Sequence, residues 1–143
     1  MIRAYQKIDD EAIVDTWYRA SLLAHPFLEA DFLEKEKKSI RELYLPNTKT
    51  WVYEEGGEVV GFIAMLGNEV GAIFVQPACQ GRGIGTQLMD LMAQTHPELE
   101  VEVFEKNSKG RAFYKKYGFR FLKEYIHEAS NENMWRLRYK REG

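Results

Sequence analysis

Hydrophobic residues in the first third of the chain recur at helical spacing. Four apolar positions at i, i+4, i+7 and i+11 predict an amphipathic helix, namely Ile13, Trp17, Ala20 and Ala24. That helix is expected to end near His25, because Pro26 disfavours helical geometry in the residue before it. A second helix is predicted from about Asp31 to Leu45. Its expected buried positions are Leu33, Ile40, Leu43 and Tyr44.

Strand-like runs follow these helices. Thr50 to Glu55 and Glu58 to Leu66 are rich in β-forming residues and are joined by Gly56-Gly57, which is a two-residue hairpin signal. Gly67-Asn68 turns the chain into a third run, Glu69 to Val75. These runs predict an antiparallel three-strand meander, and residues 2–6 predict a short strand ahead of the first helix.

Helical spacing returns after Pro77. Apolar residues then predict a helix that His96-Pro97 closes, through Ile84, Leu88, Leu91 and Met92. Leu99 to Phe104 alternates as a strand, so the strand, helix and strand predict a right-handed crossover with parallel neighbours. A fourth helix ending at Gly118 and a hairpin of residues 119–127 and 133–140 complete the chain. A mixed sheet with helices on both faces follows from this order.

Composition narrows the class of protein. The 143 residues are 45% hydrophobic and 29% charged, which is typical of one globular domain, expected here over residues 1–143. A net charge of -2 is too balanced for a nucleic-acid binder, although residues 106–123 carry seven basic residues and no acidic one. With one cysteine, Cys79, and no apolar run long enough to span a bilayer, we expect a cytoplasmic protein without membrane attachment.

A glycine-rich segment is the most specific local feature. Gln80-Gly81-Arg82-Gly83-Ile84-Gly85-Thr86 lies between a predicted strand and a predicted helix, where free backbone N–H groups suit a phosphate. The spacing matches neither a Walker A loop nor a dinucleotide-binding fingerprint. From the residues alone, a glycine-rich turn with only a packing role remains an alternative.

Two blocks together resemble the GNAT (Gcn5-related N-acetyltransferase) superfamily. Val75-x-Pro77 followed by the glycine-rich segment and Leu88 is similar to its acetyl-CoA motif. Asn107 and then Phe113-Tyr114-x-x-x-Gly118-Phe119 are similar to its second block, in the same order and spacing. The resemblance covers essentially the whole chain. Shorter signals, such as Ala24-His25-Pro26-Phe27-Leu28, are similar to small bacterial peptidyl-lysine acetyltransferases.

The resemblance implies an α/β (α+β) fold with a mostly antiparallel seven-strand sheet flanked by four helices. It also implies that acetyl-CoA is the acetyl donor, and that the fourth strand bulges and splays from the fifth to expose backbone groups for the donor. The cofactor-binding residues it implies are Phe74, Val75, Gln80, Gly81, Arg82, Gly83, Ile84, Gly85, Thr86 and Asn107.

The resemblance further assigns catalytic roles. Tyr114 corresponds to the general acid, which gives a proton to the departing thiolate, while its alternative is a core tyrosine. Glu69 or Glu102 is the expected general base, with Glu69 ranked first and water alone as a third choice. Asn107 has a helix cap as its alternative role. His25 is a candidate substrate contact, with a structural turn histidine as its alternative.

Three function classes remain open. The first is an acetyltransferase acting on a primary amine, with a protein lysine preferred over a protein N-terminus or a small-molecule amine. The second is a CoA-binding regulatory module without turnover, which is expected to lose Tyr114 first. The third is a nucleotide-binding α/β domain, which the missing Walker lysine disfavours. Scattered histidines (His25, His96, His127) predict no metal site, and we expect a monomer or weak dimer.

Overall fold

The computed structural model describes residues 1–141 and holds seven strands and four α-helices. The strands are β1 (Ile2–Ala4), β2 (Lys49–Glu55), β3 (Glu58–Leu66), β4 (Glu69–Val75), β5 (Glu98–Phe104), β6 (Arg120–His127) and β7 (Glu132–Lys140). The helices are α1 (Asp10–Ala24), α2 (Ala30–Ser39), α3 (Ile84–Thr95) and α4 (Ser108–Tyr117). None of these helices combines the length and apolarity needed to cross a bilayer. The last two residues of the predicted 1–143 domain lie outside the described residues.

The strands form one mixed sheet in the order β1-β2-β3-β4-β5-β7-β6. Every neighbouring pair is antiparallel except β4 and β5, which are parallel and flank the α3 crossover. The predicted meander, crossover and closing hairpin are all confirmed. The seven-strand, mostly antiparallel fold is therefore confirmed as well.

Helices cover both faces of the sheet because strand side chains alternate between its faces. On one face, Phe62 and Ala64 of β3 pack with residues of α1 and α2, including Ile13 and Trp17. On the other face, Ile63 packs with residues of α3 and α4, which include Ile84, Leu88, Met92 and Tyr114. The two apolar cores fix the helices that border the centre of the sheet.

The second helix differs from its prediction. The α-helix ends at Ser39, and a π-helical turn (Ile40–Tyr44) and a short 3-10 turn (Leu45–Asn47) follow it. Leu33 and Ile40 are buried as expected, but Leu43 is 67% exposed, so its predicted burial was wrong. The physical reason is the wider π turn, in which the Leu45 N–H donates to Ile40 C=O; Leu45 is then buried with Ile40, and Leu43 is turned outward.

β4 and β5 separate soon after they meet. Their parallel pairing consists of Glu69 with Glu100 and Val70 with Val101, and the rest of β4 has no partner on that side. A register shift against β3 leaves Gly71 as an extra, bulged residue. The predicted bulge and splay are therefore confirmed. The gap opens in the middle of the sheet, between the two layers of helices.

Candidate active site

A cavity of about 1020 Å³ occupies the gap between β4 and β5. One end is walled by the glycine-rich segment and the start of α3, and the other end reaches α1, α2 and the β6–β7 hairpin. Of the predicted site residues, all but Arg82 line it: His25, Glu69, Phe74, Val75, Gln80, Gly81, Gly83, Ile84, Gly85, Thr86, Glu102, Asn107 and Tyr114. The structure thus brings residues from distant parts of the sequence to one site.

The glycine-rich segment has a backbone shape that glycine permits. Gly81 and Gly83 have positive φ values of 79° and 83°, and a Cβ at either position would have no atom within 4 Å. Their requirement for glycine is therefore conformational. Gly83 is the N-cap of α3, so the free N–H groups of that helix point into this end of the cavity. This arrangement suits an anion such as a phosphate.

Arg82 points away from the cavity. Its guanidinium donates to Glu55 on β2 in an exposed ion pair. Gln80 instead links β4 to α4. Its side-chain amide donates to the carbonyl of Val75 at 3.0 Å, and its Oε1 accepts from Lys109 at 2.7 Å. The Arg82 side chain is therefore not part of the lining, in contrast to its glycine neighbours.

The free edge of β4 presents particular backbone groups to the cavity. Gln76 N–H donates to Val60 across 2.8 Å, which makes the adjacent pair, Gly61 and Val75, a non-hydrogen-bonded pair of the ladder. The N–H and C=O groups of Val75 therefore face the gap. By the same alternation, the backbone groups of Phe74 are directed to Phe62 on β3. Of the two residues expected to offer backbone groups to the donor, Val75 directs them to the gap, as does Ile73, whereas Phe74 lines the cavity with its side chain.

Tyr114 lies in α4 with its ring in the core beside Phe113 and Phe119. Only 8% of the residue is exposed, yet it lines the cavity. Burial raises the pKa of its hydroxyl above the ordinary value, so the group carries its proton at neutral pH. The two roles weighed from the sequence, core packing and proton donation, are compatible in this position.

Asn107, just before α4, and His25, just after α1, lie next to each other. Asn107 caps α4 by accepting from the Gly110 N–H at 2.9 Å, so its predicted helix-cap role is realised. His25 follows α1, is 7% exposed, and packs edgewise against Phe74 and Phe104. Both residues belong to the cavity wall.

Carboxylates gather where β4 and β5 begin to separate. Glu69 and Glu102 line the cavity, while Glu100 stands behind them on β5. Arg136 of β7 contacts all three, with its Nε 2.6 Å from Glu100, its Nη2 3.3 Å from Glu69 and its Nη1 3.4 Å from Glu102. Burial, and then the nearby Glu69 charge, raise the pKa of Glu102. Both carboxylates expected as candidate general bases, Glu69 and Glu102, therefore lie at the same end of the cavity.

Two residues of this site were missed from the sequence. Arg136 was not singled out from the sequence, because no local signal indicates contact with β4. Tyr44 was assigned to the core, but its hydroxyl lies against Gly71, where any Cβ would meet it at 1.6 Å. Burial, Glu69 and Glu102 raise the pKa of Tyr44 to about 12. The bulge at Gly71 is the feature that admits this hydroxyl.

Comparison with known proteins decides the family. Residues 46–121 match the model of the acetyltransferase (GNAT) domain, which is more than half of the chain. The chain belongs to the GNAT family. It is therefore an acyltransferase enzyme that transfers acetyl groups, as the two sequence blocks predicted.

Individual relatives of this GNAT protein agree with that assignment. The chain is 37% identical over 123 residues to the peptidyl-lysine N-acetyltransferase YiaC of Escherichia coli, covering 85% of this chain and 84% of that protein. It is 32% identical to the peptidyl-lysine N-acetyltransferase YjaB of the same organism, covering 83% of this chain and 81% of YjaB.

Solved structures share the whole fold. The solution structure of apo-form YjaB from Escherichia coli has a TM-score of 0.88 and 28% identity, covering 99% of this chain and 98% of YjaB. The PaiA N-acetyltransferase of Thermoplasma acidophilum, solved in complex with coenzyme A, has a TM-score of 0.82 and 17% identity, with 98% of each chain covered. At that identity, the PaiA comparison supports the fold alone.

Proposed function

We propose that this GNAT enzyme transfers acetyl from acetyl-CoA directly to the side-chain amine of a protein lysine. The observation that carries the proposal is the cavity at the β4–β5 gap. It joins an anion-binding helix start, a free strand edge, a buried tyrosine and a pair of carboxylates in one continuous space. An acetyl donor with a phosphate-bearing tail and an amine acceptor can enter such a cavity from opposite ends.

The pyrophosphate end of the donor fits the start of α3. Gly81 and Gly83 hold the chain in conformations that expose backbone N–H groups, and no side chain of these residues fills the space before them. Backbone donors at a helix N-terminus bind anions without an accompanying basic side chain. The outward direction of Arg82 is consistent with recognition by the backbone.

The thioester end of the donor fits the free edge of β4. The backbone groups of Ile73 and the N–H of Val75 face the gap and can pair with an extended amide-bearing chain as an additional strand would, while the Val75 carbonyl accepts from Gln80. An N–H group on this edge would polarise the thioester carbonyl. Tyr114 then supplies a proton to the sulfur; the burial that raises its pKa also destabilises a thiolate beside it.

The acceptor amine must lose a proton before it can attack. A lysine ammonium has an ordinary pKa of about 10.4, so it arrives as a cation and is attracted by the carboxylates at the other end of the cavity. Glu102 accepts the proton, directly or through one water, and its raised pKa makes it a stronger base than an exposed glutamate. Glu69 stands beside it and adds to the negative potential.

Protein lysine is the preferred acceptor for two reasons. The relatives YiaC and YjaB are both named peptidyl-lysine N-acetyltransferases, at 37% and 32% identity. The acceptor end of the cavity also combines carboxylates with apolar and aromatic walls, including Trp17, Phe32 and Phe104. An aliphatic stem carrying a terminal cation matches that combination.

The test compares three acceptors with the purified protein and acetyl-CoA. One is a peptide with a blocked N-terminus and a single lysine, the second replaces that lysine by arginine and frees the N-terminus, and the third is a small diamine. We expect thiol release with the first peptide, and mass spectrometry should locate the acetyl group on the lysine. Turnover of only the second or third acceptor would overturn the lysine assignment while leaving acetyl transfer intact.

A further inference from the structure

Arg136 is placed behind the acidic end of the cavity and outside its lining. It lies on β7, opposite Glu102 of β5 in the ladder. Glu69 and Glu102 face the cavity, but Arg136 and Glu100 do not. A substrate in the cavity would therefore meet the carboxylates and not the guanidinium. Any effect of Arg136 on the reaction must act through the groups it touches.

The guanidinium joins two strands that separate at this point. Its Nη2 reaches Glu69 at the beginning of β4, and its Nη1 reaches Glu102 on β5, at 3.3 and 3.4 Å. Its Nε is bound to Glu100 at 2.6 Å, which fixes the plane of the fork. Each carboxylate on the cavity wall is thus held by a different nitrogen of one rigid group.

We propose that Arg136 is the positioning residue for the base: its fork holds Glu69 and Glu102 side by side as carboxylates and keeps Glu102 free to accept the proton of the acceptor amine. This inference rests on the proposed function, because it assigns a base to that reaction. Without the guanidinium, the two neighbouring carboxylates would oppose each other's ionisation.

The groups that face Glu102 come from several elements. Glu69 of β4 and burial raise its pKa, whereas Arg136 of β7 and His127 of β6 lower it. Tyr44, from the π turn before β2, interacts with both cavity carboxylates.

Glu100, two residues from Glu102 on β5, is paired with Arg136 and Arg138. Arg136 is therefore the principal cation acting against the repulsion between the two cavity carboxylates.

Arg136→Gln should move the protonation of Glu102 to higher pH. Loss of an adjacent opposite charge shifts a carboxyl pKa upward by about one unit or more. The ascending limb of the profile of kcat/KM against pH should move to higher pH by the same amount. At pH values below this limb, kcat/KM of the variant should be about tenfold lower than that of wild type; above it, the two values should be nearly equal. The acceptor amine titrates identically in all variants, so a difference between profiles belongs to the enzyme.

Matched variants separate positioning from general structural damage. Arg138→Gln removes a cation from the same strand and face. Among the described residues Arg138 pairs with Glu100, at 3.5 Å, and with neither cavity carboxylate, so the ascending limb of this variant should stay at the wild-type pH. Arg136→Lys keeps the charge without the fork and should give an intermediate shift. Glu69→Gln combined with Arg136→Gln removes the repelling partner and should return the limb towards wild type.

A measurement independent of turnover completes the test. Titration of the Glu102 carboxyl by carbon NMR in wild type, Arg136→Lys and Arg136→Gln should show its midpoint rising in that order. Unchanged midpoints, or a uniform loss of rate at every pH, would overturn the positioning role. Should Arg136→Gln fail to fold, wild type against Arg136→Lys decides in the same way. If no protein acetylates the lysine peptide, the proposed function fails, whereas the NMR result still stands or falls by itself.

Discussion

The side-chain amide of Asn107 meets Nε2 of His25 across 3.2 Å and joins residues 82 positions apart. Asn107 Oδ1 already accepts from the Gly110 N–H, so Nδ2 is the atom that faces the imidazole. The amide nitrogen can only donate, which makes Nε2 the unprotonated nitrogen of a neutral ring. A single asparagine thus caps α4 and fixes the tautomer of a buried histidine in the cavity wall.

Acidification should destabilise the fold through this histidine. Burial lowers the pKa of His25 from 6.5 to about 4. Below pH 6.5 the unfolded chain binds the proton more readily than the folded chain, so stability falls as pH drops from 6.5 to 4. The shift corresponds to about 3 kcal/mol. His25→Gln, which keeps an acceptor for Asn107, should lose less stability over this range in urea unfolding experiments. An equal loss in both proteins would contradict the buried neutral imidazole.

The hydroxyl of Tyr114 should matter for turnover and not for donor binding. Tyr114→Phe keeps the buried ring and removes only the proton donor, so kcat should fall by roughly 10²-fold while the Kd for acetyl-CoA changes little. Tyr139→Phe is the matched control, because Tyr139 packs in the same aromatic cluster and does not line the cavity. A Tyr114→Phe enzyme with normal kcat would leave this tyrosine a packing role only.

Gly83 should be needed for donor binding beyond its effect on folding. Gly83→Ala places a Cβ at φ 83°, and Gly67→Ala does the same at φ 60° in the β3–β4 turn; neither Cβ meets another atom within 4 Å. Each should cost about 1–2 kcal/mol of stability. Calorimetry should show weaker acetyl-CoA binding for Gly83→Ala alone. Equal affinities for the two variants would remove the glycine-rich segment from the binding site.

Local signals account for much of the fold. β3 and β4 have the predicted bounds, because Gly56-Gly57 and Gly67-Asn68 mark the two turns of the meander. The exposure of Leu43 could not be predicted, since a π turn breaks the helical period without an evident sequence signal. The helical spacing of apolar residues predicts burial only where the backbone is a regular α-helix. It predicts the wrong residues where the α-helix gives way to a π turn.

The site was predictable in its motifs and not in its long-range contacts. The glycine-rich segment and Tyr114 stand out within short blocks. The contact of Arg136 with Glu69, however, joins positions 67 residues apart and depends on β7 lying next to β5. Which of Phe74 and Val75 directs its backbone groups to the gap depends on the register of β3 and β4 in the same way. Register and strand order are global properties of the sheet.

Amide NMR during titration with acetyl-CoA tests the central claim most directly. If the β4–β5 cavity holds the donor, the largest shifts should fall on two groups of amides: those of residues 80–86, at the start of α3, and those of Ile73 and Val75 on the free strand edge. Amides of β1, at the far edge of the sheet, should move little. Absence of binding, or binding with the largest shifts away from both groups, would contradict the account.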